Sequence, residues 1–380
     1  MTNKQRVLDT FLELLNTPSE SRNERVICDL LKNKLANMGF VVTEDNTMEQ
    51  TGCNAGNIYA ILKGNPQIES IYLNAHMDTV EPTYDLNVII EDGIIKTDGK
   101  TILGADDKSA VAAILEALEV IVENNLEHGD IEVVITVSEE ANLQGAATFD
   151  TSVIQSKWGF AVDSGGQVGD LKIAAPSRAE FWASFKGKAA HAGVQPEKGV
   201  SAVYTAATAI SKIPHGRIDF ETTANIGVFQ ADSLLNVVND EAGFKSEVRS
   251  FNPEKLQAQL DTMEQVCKQT AQEFGASVEI KSEILFKSFG IAEDHPCIQV
   301  GQEAAKRIGR DGKLFQAGGL SDANVFNGNG IPTPILTCGY SNPHGKNEIM
   351  PIEELNKLSD MLVAIVQVVA ETKVKESALS

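Results

Sequence analysis

The chain of 380 residues is too long for one ordinary hydrophobic core, so two domains are expected. Its 42% hydrophobic residues are typical of a globular protein, whereas the formal net charge of -21 argues against binding to nucleic acids or anionic membranes. The first 24 residues lack the basic and apolar regions of a secretory leader, and no apolar run reaches the length of a membrane span, so a cytoplasmic protein is expected.

The first part of the chain alternates helices with strands. The predicted elements are helices over 4–16 and 22–38, strands at 41–43, 57–63 and 71–75, a helix over 107–123, and strands at 131–137 and 158–162. The helix over 107–123 is apolar on almost every side, which indicates burial against a sheet. The alternation predicts an α/β fold, with a mixed, largely parallel sheet flanked by helices.

The pattern changes after residue 175. The elements predicted there are a strand at 177–188, a helix at 198–212, strands at 224–229 and 235–250, a helix at 253–274 and a strand at 276–285. This β-α-β-β-α-β order is the ferredoxin-like split βαβ sandwich, so an inserted domain is expected at 177–286.

The first pattern then resumes, so a discontinuous domain made of residues 1–176 and 287–380 is expected around the insert. Its predicted elements are helices at 297–308 and 321–327, a strand at 333–338 and a helix at 352–371. The five cysteines are scattered and form no C-x-x-C pair, which argues against a disulfide framework or a zinc ribbon.

Acidic and histidine residues stand at the ends of several predicted elements. They are His76 and Asp78 after 71–75, Glu139 and Glu140 after 131–137, Asp163 after 158–162, His344 soon after 333–338, and Asp106 just before the buried helix. Ligands of open α/β sheets bind outside the carboxyl ends of the strands. The set therefore predicts a two-metal hydrolytic site.

Each motif taken alone has a simpler interpretation. His76 with Asp78, or Glu139 with Glu140, could be solvated groups at a strand end, and Asp106 could cap a helix. Adjacent carboxylates, however, resist burial unless cations neutralise them. Two imidazoles, two carboxylates and a shared carboxylate would suit two zinc ions, with cobalt or manganese as possible substitutes.

In combination and order, these motifs resemble the dizinc exopeptidases of the aminoacylase and glutamate-carboxypeptidase family, and within it the peptidase T branch of tripeptidases. The matching segments are His76-Met-Asp78, Gly104-Ala-Asp106-Asp-Lys108, Ser138-Glu139-Glu140, Asp163 with its following Gly-Gly, and Gly339-Tyr-Ser-Asn-Pro-His344-Gly-Lys-Asn-Glu348. The resemblance covers almost the whole chain. One departure is the segment 79–105, which is much shorter than its counterpart in peptidase T.

The resemblance implies a role for each residue of the site. The implied zinc ligands are His76, Asp163 and Asp106 for one ion, and His344, Glu140 and Asp106 for the other. Glu139 would be the general base, and Asp78 would orient His76. A cis peptide bond between Asp106 and Asp107 is also implied.

The inserted domain would correspond to the lid of this family, through which its members dimerise, so a homodimer is possible. His191 matches the lid histidine that polarises the scissile carbonyl. Arg249 and Asn236 resemble lid residues that hold the substrate, and Gly319 lies in a loop, 318–322, that resembles one flanking the substrate.

The predicted function is hydrolysis of small peptides by a dizinc exopeptidase, a tripeptide aminopeptidase acting through a water that bridges two zinc ions. An N-acyl amino acid deacylase or a carboxypeptidase of the same family would use the same chemistry and is the alternative. A non-catalytic binding protein on this scaffold would be expected to lack the base or a ligand, and none is missing here.

Overall fold

The structure is a computed structural model that describes residues 2–378, with side chains described through Thr372. Its α-helices, in chain order, are α1 Lys4–Leu15, α2 Arg25–Asn37, α3 Thr47–Thr51, α4 Ala105–Glu123, α5 Gln144–Thr148, α6 Ala202–Lys212, α7 Pro253–Phe274, α8 Pro296–Arg307, α9 Ala323–Gly328 and α10 Ile352–Ala378. Its strands are β1 Val41–Glu44, β2 Ile58–Leu62, β3 Ile71–His76, β4 Val88–Glu91, β5 Ile94–Thr97, β6 Ile131–Thr136, β7 Gly159–Val162, β8 Leu171–Ala175, β9 Ser177–Lys186, β10 Gly216–Arg217, β11 Thr222–Ala231, β12 Glu241–Ser250, β13 Ser277–Phe286, β14 Phe289–Gly290, β15 Leu314–Gln316, β16 Ile335–Leu336 and β17 Met350–Pro351.

The described residues form two compact units. The first contains the chain up to Ile173, the segment Gly290–Gln316, and the chain from Leu320 onward. The second contains Ala174–Phe289 together with Ala317–Gly319.

The first unit is built on a sheet of order β1-β2-β6-β3-β7-β16-β8-β14, with β15 paired to β8. Its central strands β6, β3, β7 and β16 run parallel, whereas β1, β2 and β8 pair antiparallel with their neighbours. The predicted α/β class with a largely parallel central sheet is therefore confirmed. Because parallel strands end at the same edge, His76 at the end of β3 lies beside Thr136 at the end of β6.

The helix α4 fixes one side of this edge. Side chains along nearly its whole length are buried, and it packs against α1, α10 and β3. Full burial of an aliphatic side chain such as Val111 or Ile114 contributes about 1.5–3 kcal/mol, so the helix is held firmly in place. Its first turn has non-helical backbone angles at Asp106 and Asp107, so regular helix begins after these two residues.

The second unit is an antiparallel sheet of order β10-β11-β12-β9-β13. Once the two-residue β10 is set aside, its elements follow the order strand, helix, strand, strand, helix, strand. The side chains of Phe181, Phe185 and Phe244 stack in its core, where α6 and α7 pack on the sheet.

Several predicted elements differ from those observed. Helix α6 begins at Ala202 rather than 198, because the Ser201 side chain accepts the N–H of Tyr204 and caps it there. The strand predicted at 333–338 pairs only at Ile335–Leu336, and Pro334, just before it, has no N–H to give a ladder. The small sheet of β17, β5 and β4 was not predicted from the sequence.

All five cysteines are buried and free. Burial raises the pKa of the Cys28, Cys267 and Cys297 thiols to about 12. Among the described helices, none combines the length and apolarity that a bilayer crossing requires.

Candidate metal centre

His76 is the most deeply buried imidazole of the predicted site. Its side chain is 1% exposed at the end of β3, and its Nδ1 lies 3.0 Å from the carbonyl oxygen of Asp78 and 3.3 Å from Asp78 Oδ1. The opposite ring nitrogen, Nε2, lies 3.3 Å from Asp106 Oδ1 and 3.9 Å from Asp163 Oδ1. The contacts on Nδ1 therefore direct Nε2 towards the carboxylates, as a metal ligand requires.

Asp106 lies between the two predicted histidine ligands. Its Oδ1 faces His76 Nε2 at 3.3 Å, and its Oδ2 faces His344 Nε2 at 3.4 Å. The peptide bond from Asp106 to Asp107 is cis, as the resemblance implies. One carboxylate thus presents a separate oxygen to each imidazole, which is the arrangement that a shared ligand of two ions needs.

The adjacent glutamates diverge towards opposite halves of the centre. Glu139 Oε2 lies 4.0 Å from His76 Nε2, whereas Glu140 Oε1 lies 2.8 Å from His344 Nε2. Asp78 fixes their backbone, since its carboxylate accepts the N–H of Glu139 at 2.9 Å and of Glu140 at 3.2 Å. Asp78 therefore contacts His76 and both glutamates, which links three parts of the predicted site.

His344 differs from His76 in its surroundings. It lies on a short loop closed by the backbone pair Ser341 and Ile349, and its side chain is 53% exposed. Its backbone φ of 63° lies in the left-handed region, which is uncommon for a residue other than glycine. The loop, and not a strand, sets the position of this imidazole.

In the candidate centre, several carboxylates surround the two imidazoles, and these groups shift one another's pKa. Burial, reinforced by neighbouring carboxylates, raises the pKa of Glu139 and of Asp163 well above the usual range. Burial also opposes ionisation of Asp106, but the two imidazoles outweigh it and hold the pKa of that carboxyl low. Burial would lower the pKa of His76, yet its bonds to Asp106 and Asp78 raise it well above 6.5.

These residues fit a divalent metal centre. Atoms of His76, Asp106 and Glu140, and separately of His76, Asp107 and Asp163, lie within 4.8 Å of one another. Glu140 Oε1 is buried, and its close polar neighbour is His344 Nε2 at 2.8 Å. Buried acids without enough cations are costly, and metal ions would remove that cost.

The distances do not determine which carboxylate would bind which of the two ions. His76 is close to both Glu140 and Asp163, so either could share its ion. Asp107 is less suited to ligation, because its Oδ2 accepts the backbone N–H of His76 and its Oδ1 faces Cys338 Sγ at 3.9 Å.

Two buried acids near the centre make contacts that the sequence did not predict. Glu24 Oε1 accepts the N–H and the hydroxyl of Ser138, the residue of φ 48° that precedes the glutamates. Asp322 Oδ2 accepts hydrogen bonds from Thr136 on β6 and Asn74 on β3. Spacing could not reveal these contacts, since each joins residues far apart in the chain.

The remaining predicted residues lie in the second unit. His191 and Asn236 are neighbours there, because Ala192 donates its N–H to the carbonyl of Asn236 at 2.8 Å. Arg249 forms a two-pronged contact with Glu247, of 2.7 and 3.2 Å, and donates from Nη1 to the carbonyl of Gly318 at 2.8 Å. Gly319 follows Gly318 in the same unit.

Comparisons with known sequences and structures show similarity to peptidases. A family profile described as Peptidase family M20/M25/M40 matches residues 72–368. The chain is 47% identical over 371 residues to the uncharacterized protein YqjE of Bacillus subtilis (strain 168), across 98% of this chain and 100% of that protein. The crystal structure of aminopeptidase PepT from Bacillus cereus ATCC 10987 is 44% identical, with a TM-score of 0.91 over 97% of this chain and 99% of that one. The crystal structure of a tripeptidase from Staphylococcus aureus is 40% identical, with a TM-score of 0.94 over 98% of this chain and 100% of that one.

Proposed function

The chain belongs to Peptidase family M20/M25/M40, and on that premise we propose that it is a metal-dependent aminopeptidase that removes the first residue of tripeptides. The single observation that carries the chemistry is Asp106, with one oxygen facing His76 and the other facing His344. The preference for tripeptides is supported by the two similar structures, which are named as an aminopeptidase and a tripeptidase.

The proposed cofactors are two zinc ions, with cobalt or manganese as substitutes. The proposed ligands are His76, Asp163 and Asp106 for one ion and His344, Glu140 and Asp106 for the other. Mixed nitrogen and oxygen donors of this kind suit zinc. The acid-rich, buried character of the centre supports this assignment, because two divalent ions would offset the repulsion among its carboxylates.

The proposed catalytic residues are Glu139 and Asp78. Divalent ions in such a centre supply Lewis acidity towards a carbonyl group and towards water. Glu139 would take the proton from the attacking water and return it to the leaving amine, and its side chain is 9% exposed beside His76. Asp78 would hold Glu139 and His76 in place through the contacts described above.

The proposed substrate contacts come from the second unit. His191 Nδ1 accepts the N–H of Gly193 at 3.2 Å, so the neutral ring carries its proton on Nε2. That N–H could stabilise the developing oxyanion of the scissile carbonyl. Arg249, a rigid fork of donors, would bind the carboxylate of a short peptide, while Asn236 and Gly319 would contact its backbone.

The organisation of the chain is part of the proposal. Residues 1–176 and 287–380 would form the catalytic domain, and 177–286 would form a lid that also carries a homodimer interface. Exposed apolar side chains such as Phe229, Leu234 and Leu235 in this segment are compatible with such an interface. We place the protein in the cytoplasm.

A peptide-length series tests the function. The substrates would be unblocked di-, tri- and tetrapeptides of alanine, together with the tripeptide acetylated at its amino end or amidated at its carboxyl end. The unblocked tripeptide should be hydrolysed fastest, releasing one alanine and a dipeptide. A chelator should abolish hydrolysis, and added zinc should restore it.

Two results would contradict the proposal in different ways. Faster hydrolysis of the acetylated substrate would favour the deacylase alternative, and release of the carboxyl-terminal residue would favour a carboxypeptidase; labelling one terminal alanine with a heavy isotope distinguishes the ends. Full activity after complete removal of metal would overturn the metal-dependent mechanism itself.

A further inference from the structure

We propose that Glu348 is a positioning residue that joins the loop of His344 to the turn of Asp106, and so keeps these two ligands at the spacing that one ion needs. The inference rests on the metal centre proposed above. The hydrogen bonds that its carboxylate accepts come from backbone N–H groups, so Glu348 would act through the backbone that carries the ligands.

Glu348, which is distant in sequence, accepts hydrogen bonds from the backbone at the start of α4. Its side chain is buried, with Oε2 accepting the N–H of Leu103 at 2.9 Å and of Gly104 at 2.7 Å, and Oε1 accepting the N–H of Asp106 at 3.0 Å. Free N–H groups at a helix start are usually satisfied by the side chain of the capping residue. Gly104, the residue in the capping position here, has no side chain, and Glu348 accepts the N–H of Asp106 in place of a cap as well as the two N–H groups that precede the helix.

The same residue lies at the base of the loop that carries His344. Ser341 and Ile349 close this loop with two backbone hydrogen bonds of 3.0 and 3.1 Å, and Glu348 donates its own N–H to Gly345 at 2.9 Å. His344 stands near the tip, where its side chain is 53% exposed. The buried base, rather than packing around the imidazole, therefore determines where His344 lies.

The two oxygens of Glu348 have separate tasks. One accepts from two N–H groups before the bridging aspartate, and the other accepts from Asp106 itself. A glutamine has a single acceptor oxygen and an NH₂ group that would face a second donor. Glu348→Gln should therefore disturb one side of the contact in either orientation while nearly preserving the volume of the side chain.

The test measures zinc binding in the full-length protein, by competition with a chromophoric chelator. The variants are Glu348→Gln, Glu348→Asp, which keeps both oxygens but is shorter, and Glu353→Gln, an exposed glutamate in α10 that serves as the control. We expect two tight ions in the parent and the control. In Glu348→Gln the ion assigned to His344, Glu140 and Asp106 should bind about 10–100-fold more weakly, the range typical of residues that orient metal ligands.

A second readout separates positioning from general stability. Added zinc should restore the turnover of Glu348→Gln towards that of the parent, which a purely structural defect would not allow. Unchanged affinity for both ions, with or without a lowered melting temperature, would overturn the inference.

If Glu348→Gln fails to fold, Glu348→Asp decides the matter, and parent-like affinity in that variant would likewise overturn the inference. Failure of the parent itself to bind two ions would instead refute the proposed metal centre.

Discussion

The two halves of the candidate metal centre are held in different ways. His76 ends a buried parallel strand, is 1% exposed, and has Asp78 on its second ring nitrogen. His344 lies on a loop and is 53% exposed. Its ion-pair partners among the described residues are Asp106 and Glu140. The strand half is therefore fixed by a buried strand, whereas the loop half is fixed by the base of its loop and by the contacts of His344 with Asp106 and Glu140.

This difference has a chemical meaning. A preorganised ligand set loses little conformational freedom when an ion binds, so its affinity is higher than that of a set that must be ordered. The ion beside His76 should accordingly be the more tightly held, and the ion beside His344 should leave first during chelation. Substitutions in each half of the centre test this contrast, and one substitution outside the centre serves as a reference.

Glu139→Gln should have the largest effect. Glu139 lies on the strand half, and loss of a general base typically costs about 10²–10⁴-fold in turnover. Both ions should remain bound, because Glu139 is not a proposed ligand. The measurement is kcat for a tripeptide beside metal content; near-normal turnover would remove Glu139 from the mechanism.

Glu140→Gln should act on the loop half instead. It replaces the carboxylate that faces His344 at 2.8 Å, so one ion should bind about 100-fold more weakly or be lost. Titration with zinc should show one tight ion where the parent shows two. Retention of both ions with parent affinity would mean that the adjacent glutamates do not divide between the halves.

Asp78→Asn should weaken the strand half by a smaller amount. An amide cannot accept at both positions where Asp78 takes the N–H groups of Glu139 and Glu140. We expect about 10–100-fold weaker binding of the tighter ion, measured by chelator competition. Ser21→Ala, which removes one hydroxyl donor to Asp78, is the milder matched variant and should fall between the parent and Asp78→Asn.

Glu44→Gln should have the smallest effect, a small loss of stability, and should not change metal binding. Ligand atoms of Cys28, Asp29 and Glu44 also lie within 4.8 Å of one another, but Arg25 and Lys32 already neutralise Glu44 there. The Arg25 contact in particular lowers the pKa of Glu44 to about 2 from 4.5. Because the pairs are partly exposed, the substitution should cost about 1 kcal/mol at pH 7.

The pH dependence of that cost has a definite sign. A depressed pKa in the folded state means that the stabilisation is complete above about pH 4.5 and is lost as the pH falls through about 2. Urea unfolding of the metal-free parent and Glu44→Gln should therefore give curves that converge in acid. If this variant bound fewer zinc ions than the parent, Glu44 would be a metal ligand despite its ion pairs with Arg25 and Lys32.

Local sequence rules predicted those parts of the fold that depend on local contacts. The bounds predicted for α7 agree with the structure because Asn252 caps its start and Gly275, at φ 70°, ends it. The α/β class and the family were confirmed as well. The metal ligands and Glu139 stay predictions, although the structure brings them together.

What the sequence could not provide lies in contacts between distant segments. The bond of Glu348 to Leu103 spans 245 positions, and that of Glu24 to Ser138 spans 114. No periodicity encodes such pairs, since each depends on how the loops return to the sheet edge. The hairpin of β4 and β5 was missed for a related reason, because it completes its sheet only with the two-residue β17.

Because all five cysteines are buried, the reaction of each thiol with a reagent would report local opening of the structure around it. Cys267 reports on the second unit, while the other four, in the first unit, include Cys338 beside Asp107. A thiol reagent should label each one only when its surroundings open, since inaccessible thiols react slowly. Labelling followed by peptide mass mapping would thus time the opening of each unit separately, in the unmodified chain and with or without bound ions.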